Sequence, residues 1–393
     1  MIRGHAYWAT PGDLWATVRD AHYVGWGYFG GIYGAGTALV TFPGYFVLLA
    51  PVVMLTGALG LTEGFPFYPP HPTAWLVIGP FTMLTNGVAL FALDKLAGRL
   101  GVGRRGRWVL SAGAMVALWP STALWGHPED VLALALGVYA LVAVIDRRWR
   151  ACGWLFGAAL ACQPLTILIF PVAMAVAFRE RGWRSLAPLV GRAAALPAFL
   201  LAVVLTADFH DAWRALTRQP NFPKLDWPTP WMALSPHLGH DTVAAGPGRM
   251  IAVVAAIGIG VWLATRRRDP LTLVWAAGLA MAGRCVFESV MVPYYVAPAV
   301  VLLLVASWHQ PLWRRGMAVV AGVLVTVMTF WHLGPWLYWG SMVALLAVEA
   351  GAAWPGPARS GAGRRAEAVT DLSSAEAEEA EAAPSEPPVP ALA

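Results

Sequence analysis

Residues 125–150 read Trp-Gly-His-Pro-Glu-Asp (125–130), then VLALALGVYALVAVI (131–145), then Asp-Arg-Arg-Trp-Arg (146–150). A polar mouth, an uncharged apolar run and a basic loop follow one another without a break. The same order recurs on both sides. Apolar spans are expected near 38–60, 73–94, 108–125, 130–145, 152–178, 187–206, 249–265, 271–289, 294–307, 317–333 and 337–350. With 58% hydrophobic and 12% charged residues, the 393-residue chain has too little polar surface to cover itself in water. Its mean hydropathy is +0.58. A bilayer core about 30 Å thick needs roughly 20 apolar residues per helix, and only helices or closed barrels satisfy every backbone group there. These runs are too long and too uniformly apolar for barrel strands. The expected fold class is therefore all-α, a polytopic integral membrane bundle of roughly 10–12 transmembrane segments.

The net charge of +5 does not indicate a nucleic-acid partner, because the cations gather in short loops: Lys95 to Arg107, Arg147 to Arg150, Arg179 to Arg184, Arg266 to Arg268, and Arg314 to Arg315. That is the distribution of cytoplasmic loops under the positive-inside rule. The loops at 63–72, 126–130, 209–248 and 288–293, with the turn near His332, then face outward. One stretch breaks the alternation. Residues 152–178 have basic loops at both ends, and a hairpin of two half-helices broken at Gln163-Pro164 resolves this better than a basic loop placed outside.

Three organisational segments follow. Residues 1–37 form an amphipathic interfacial segment of undetermined side, with Trp15, Arg19, His22 and Trp26 on one helical face and Asp13 and Asp20 on another. Residues 38–350 are the transmembrane domain, with an outer loop at 208–249. Residues 351–393 are an Ala/Pro/Glu-rich tail, too polar to bury a core, expected to be disordered and cytoplasmic. Residues 1–20 lack the apolar core of a cleavable signal, so the first spanning helix is expected to drive insertion. Cys152, Cys162 and Cys285 have neither metal-ligand nor disulfide-framework spacing.

Chemistry is sought in the loops. His127, Glu129 and Asp130 at a membrane boundary offer a base, an acid or ligands for a divalent metal, although nothing in their spacing demands a cation. A plain helix start with Pro128 at its first position explains the two acids but not His127. The outer loop carries Asp226, Trp227 and Trp231, aromatics that stack on sugar rings or anchor at lipid headgroups. Arg284 and Glu288, four apart, pair with each other or serve a site beside Tyr294 and Tyr295. Walker, dinucleotide-binding, HExxH and Gly-x-Ser-x-Gly motifs are missing, which argues against nucleotide hydrolysis.

Three passages together resemble the GT-C superfamily of polytopic glycosyltransferases, in particular the bacterial polyprenyl-phosphate-sugar-dependent, mannosyltransferase-like proteins. They are Asp13-Leu14-Trp15 to Asp20-Ala21-His22 ahead of Phe42-Pro43-Gly44, the turn Gly126 to Asp130, and Gly157 to Pro164. The resemblance implies an inverting transfer of a mannose-like hexose from a polyprenyl phosphate to an envelope glycan or glycolipid. In that scheme Asp20, or else Asp13, is the base, with Asp20 favoured for its neighbour His22. Arg19, His127 or Arg284 would meet the phosphate. No cofactor is firmly implied. The chain departs from the superfamily in two ways: the helix expected ahead of the first outer loop is not evident, and Gln163 stands where Lys is usual. A transporter or flippase shares the helices and the broken segment, but would gather its polar residues near the membrane midplane rather than at helix ends. A scaffold subunit would need none of them.

Overall fold

The computed structural model describes residues 12–34, 41–61, 74–223, 227–266, 269–331 and 334–356. The expectations for the 63–72 loop, Asp226, Arg267, Arg268, His332 and the tail from 357 fall outside these residues. Among the described residues there are fourteen α-helices. They are α1 (Gly12–Gly25), α2 (Pro43–Ala58), α3 (Trp75–Arg99), α4 (Arg104–Ala123), α5 (Pro128–Ile145), α6 (Trp149–Cys162) and α7 (Phe170–Arg181). The series continues with α8 (Leu186–Ala207), α9 (Phe209–Thr217), α10 (Gly248–Arg266), α11 (Pro270–Phe287), α12 (Ala297–Ser307), α13 (Leu312–Met328) and α14 (Pro335–Ala353). The described residues are all-α apart from a small antiparallel sheet of order β1-β3-β2, from β1 (Pro220–Asn221), β2 (His237–Gly239) and β3 (Thr242–Ala244).

Among the described residues, six stretches are long and apolar enough to cross a membrane: Trp75–Arg99, Pro128–Ile145, Trp183–Ala207, Gly248–Thr265, Pro270–Phe287 and Trp336–Ala353. This is fewer than the apolar runs suggest, for local reasons. A 3-10 turn at Pro293–Tyr295 takes the first residues of the 294–307 run and leaves α12 with 11 residues. The 152–178 run is broken. The 38–60 run yields a helix of only 16 residues, about 24 Å at 1.5 Å per residue.

Ion pairs and aromatic contacts collect most basic loops at one end. Arg99 pairs with Asp146 at 3.1 Å and Arg107 with Asp94 at 3.4 Å. Arg179 donates to the Leu263 carbonyl at 3.2 Å, and Arg314 reaches the Gly351 and Trp354 carbonyls at 2.7 Å. The broken segment closes here too. Arg147 before α6 pairs with Glu180 at the end of α7 at 3.4 Å, and Arg181 lies 5.9 Å from the Trp149 ring centroid. Residues 149–181 thus leave the basic end and return to it, with Gln163 extended at the tip and Pro164 opening a 3-10 turn to Leu168. Pro cannot donate the helical bond at that point, and the chain reverses there.

A main core fills the space between α3–α8 and α10–α14. A second core forms a cap at the other end, where Leu14, Trp15, Val18 and Ala21 of α1 meet Tyr45, Phe46, Leu49 and Val53 of α2, Ile78 of α3 and Ala212 and Ala215 of α9. Gly44 fixes α2 on the α6 tip: a Cβ there would sit 2.5 Å from the Ala161 carbonyl oxygen, so no larger residue allows the approach. The side of residues 12–34, open in the sequence, is therefore that of the 126–130 turn. The compact unit runs to Trp354, just past the end of α14 at Ala353.

Single cysteines replacing Arg147 and Glu180 in a background without the native cysteines are expected to react with an impermeant thiol reagent from the same membrane side. Reaction from opposite sides would show a crossing segment instead of a hairpin.

Candidate functional site

The short turn between α4 and α5 positions the first element of the site. Pro128 opens α5 without losing a helical donor, and Glu129 and Asp130 occupy its first turn, where the helix dipole favours carboxylates. His127 just before it is buried. Its Nδ1 lies 2.8 Å from Glu129 Oε1 and its Nε2 3.0 Å from Asp13 Oδ2, across 114 residues of sequence. Its ring stacks on Tyr294 at 3.9 Å. With a carboxylate on each nitrogen, the ring donates both protons as an imidazolium.

The electrostatics agree. Burial opposes a charge on His127, but the Glu129 carboxylate and the hydrogen bonds to Asp13 and Glu129 more than offset it and hold the imidazolium well above its usual range. Burial alone would raise Asp13, but the hydrogen bond and charge of His127 bring it below the usual carboxylate value. Asp13 keeps 54% of its side chain exposed, so it is the member of the trio that a substrate can reach.

Asp20, favoured as the base over Asp13, lies in different surroundings. It is 0% exposed within the second core, with Oδ1 held by Arg19 at 2.9 Å. Burial pushes it up to about 7, partly countered by the Arg19 charge. It is a buried partner of Arg19 through Oδ1, and its Oδ2 is buried without a hydrogen-bond partner. His22, the reason for preferring it, contacts Tyr23 and Trp26 at the other end of α1.

The α6–α7 tip brings Gln163 to the site, where its Nε2 donates to Asp130 Oδ1 at 2.5 Å. The third element is the C-terminus of α11. Glu288 accepts from Arg284 Nε at 3.3 Å, the expected i,i+4 pair, and from Arg249 Nε at 2.7 Å. Arg249 also donates to Gln219, and the Arg284 guanidinium lies 3.6 Å over Tyr295. Arg249 was missed in the sequence because its partners are 30 and 39 residues away. A cation opening an apolar run on the side away from the basic loops was the available signal.

The outer loop is tied down beside this cluster. Thr229 N donates to Ser289 O at 3.2 Å, Met291 N to Trp227 O at 3.0 Å, and Asn221 Nδ2 to Ser289 Oγ at 3.3 Å. Trp227 takes a φ of 54°, a region bulky residues rarely adopt, and its ring packs 5.4 Å from Trp125 and 5.7 Å from Tyr338. It is buried, and Trp231 packs on Phe287, so both brace the loop. Buried atoms near His127 with no hydrogen-bond partner include Glu129 Oε2, the Tyr45 hydroxyl and Trp125 Nε1.

The structure thus gathers Asp13, His127, Glu129, Asp130, Gln163, Tyr294, Tyr295 and Arg284 at the capped end, and leaves Arg19, Asp20 and His22 elsewhere on α1. For a divalent metal at His127, Glu129 and Asp130 the donor set is poor, because both ring nitrogens are turned to carboxylates. Among the described residues no group of three or more His, Cys, Asp or Glu side chains could hold a metal ion. Comparison with protein-family models finds no match to the chain, and comparison with curated proteins finds none.

His127→Gln is expected to cost about 2 kcal/mol, since it removes charge-assisted bonds to two carboxylates. The sign with pH follows from the raised imidazolium: its contribution is complete below the ordinary His value of 6.5 and is lost as pH climbs through the higher folded-state value. Thermal unfolding of wild type and His127→Gln should differ most in mildly acidic buffer and converge in alkaline buffer.

Proposed function

We propose that this protein is a multi-pass membrane glycosyltransferase of GT-C type, transferring a mannose-like hexose from a polyprenyl phosphate to an acceptor hydroxyl at the capped, extracytoplasmic end. Support for the membrane comes from the helix flanks, where Leu76, Leu84, Phe91, Phe199, Val254 and Val320 are exposed. A water-facing surface does not carry such side chains in bulk. Exposed Trp108, Trp183 and Trp313 lie near the basic end and Trp26, Trp213, Trp331 and Trp336 near the other, as in two interfacial belts.

The observation that carries the reading is the Asp13–His127 pair. It sets a reachable carboxylate on an interfacial helix against a buried imidazolium, at the membrane end opposite the Arg loops. Asp13 Oδ1 accepts the acceptor's proton as the acceptor oxygen attacks the sugar C1 and the bond from C1 to the phosphate oxygen breaks. That proton then passes to the departing lipid phosphate or to solvent. His127 holds Asp13 ionised and oriented. Arg249 and Arg284, two guanidinium groups around the single carboxylate of Glu288, supply an excess positive charge for the phosphate. The polar groups converge at helix ends rather than between helices at midplane, which favours a transferase over a transporter.

Purified protein in liposomes is expected to move labelled mannose from a polyprenyl-phosphate donor to an acceptor glycan or glycolipid. Asp13→Asn should lower turnover by about 10²-fold or more. Asp20→Asn should retain turnover, because it alters a buried pair. Equal activity in the wild type and Asp13→Asn would remove the base, and loss confined to Asp20→Asn with a folded protein would reverse the assignment.

A further inference from the structure

One ionisable group plays no part in this site. Glu349 lies four residues before the end of α14, within the apolar stretch Trp336–Ala353, and is 0% exposed. Neither of its carboxyl oxygens has a hydrogen-bond partner. Helical side chains lean toward the N-terminus of their helix, so the carboxyl points away from the basic end and into the seam with α12 and α13. There it meets Gly322, where a Cβ would lie 3.2 Å from both Glu349 Oε1 and Val300 Cγ1 and 3.6 Å from Leu304 Cδ1. Any side chain larger than hydrogen at 322 would press on the carboxyl, so this glycine makes its room.

The surrounding charges do not neutralise it. On α13 the cations are Arg314, bound to Gln310 and to the Gly351 and Trp354 carbonyls, and Arg315, which lies over Trp308. Both are at the basic end, more than a full helical turn from Gly322. On α11, Arg284 and Glu288 are paired with each other at the opposite end and Cys285 donates to backbone carbonyls. α12 carries no charged residue. An ionised carboxylate in such a place is uncompensated and costly, whereas a carboxylic acid is tolerated.

A narrow crevice lies near the same place. Its wall includes Trp125, Tyr294, Ser121, Thr329, Thr326 and Val300. Val300 is a neighbour of the Glu349 carboxyl through Gly322, and Thr326 Oγ1 donates to the Gly322 carbonyl at 2.9 Å. Thr329 Oγ1 donates to the Thr326 carbonyl at 2.6 Å, so the crevice wall carries polar groups up to Val300, beside the seam that holds the acid.

From the crevice and the unpartnered carboxyl, we infer that Glu349 is a reversible proton-binding site inside the helical bundle, loaded from the Tyr294 end between α4, α12 and α13. The inference does not depend on the transferase reading, and its test reads proton occupancy rather than transfer. Dicyclohexylcarbodiimide, a lipid-soluble reagent, adds to a protonated buried carboxyl and leaves a stable N-acylurea bearing the whole reagent. Wild-type protein in oriented vesicles is treated with it while the pH on each side is set independently, and the adduct is located by mass spectrometry of peptides. Glu349 should be labelled, labelling should fall severalfold as the pH on the Tyr294 side rises, and the pH on the Arg-loop side should have little effect. Glu349→Gln should lose the adduct, and Ala297→Trp, which plugs the crevice, should slow the response to external pH. Absence of an adduct at Glu349 would overturn the inference, and so would labelling independent of pH, which marks a permanently neutral acid. Labelling that follows the pH of the Arg-loop side would overturn the route.

Discussion

The arrangement at the capped end depends on a buried imidazolium shared by two carboxylates. Without the charge on His127, the ring could donate to only one of its two carboxylates, and Asp13 and Glu129 would stand as two anions with nothing to balance them. With it, α1 is fastened at its first turn and lies across the bundle, its inner face packed on α2 and the start of α3. The same contact keeps Asp13 ionised at the exposed edge of α1, while Leu14, Val18 and Ala21 of the same helix are buried. A cap that closes one end of the bundle and a carboxylate presented at its rim are two results of one bond pair.

How much of this could be read from the sequence varies with the range of the interaction involved. The break at Gln163-Pro164 was legible because its cause is local: a proline, an adjacent amide, and basic loops at both ends of one apolar run. The Arg284–Glu288 pair was legible for the same reason, being one helical turn apart. By contrast, the choice between Asp13 and Asp20 turned on burial, which depends on how α1 sits on α2 and α3. The neighbouring His22 carried no information on burial, because adjacency in sequence says little about which helical face a side chain takes. The second cation at Glu288, Arg249, comes from another helix and has no local trace.

The helix count shows another limit. Apolar runs report what lipid and core tolerate, not whether the chain crosses. The 38–60 run became a short cap helix and the 294–307 run lost its start to a Pro-Tyr-Tyr turn, although both are apolar enough to be read as spans. Proline and glycine at the ends of those runs carried the correction, since they set where a helix begins and where two backbones can touch, as Gly44 does against Ala161.

The hairpin of α6 and α7 also bears on how the chain is threaded. A segment that leaves one end and returns to it contributes no net crossing, so the helices after residue 181 keep the parity set by those before residue 147. Its amide tip is carried to the opposite region without translocating a hydrophilic loop. The orientation of the second half of the protein is therefore decoupled from the element that delivers Gln163 to the site, and that element can vary in length or sequence while the sidedness of everything downstream is preserved.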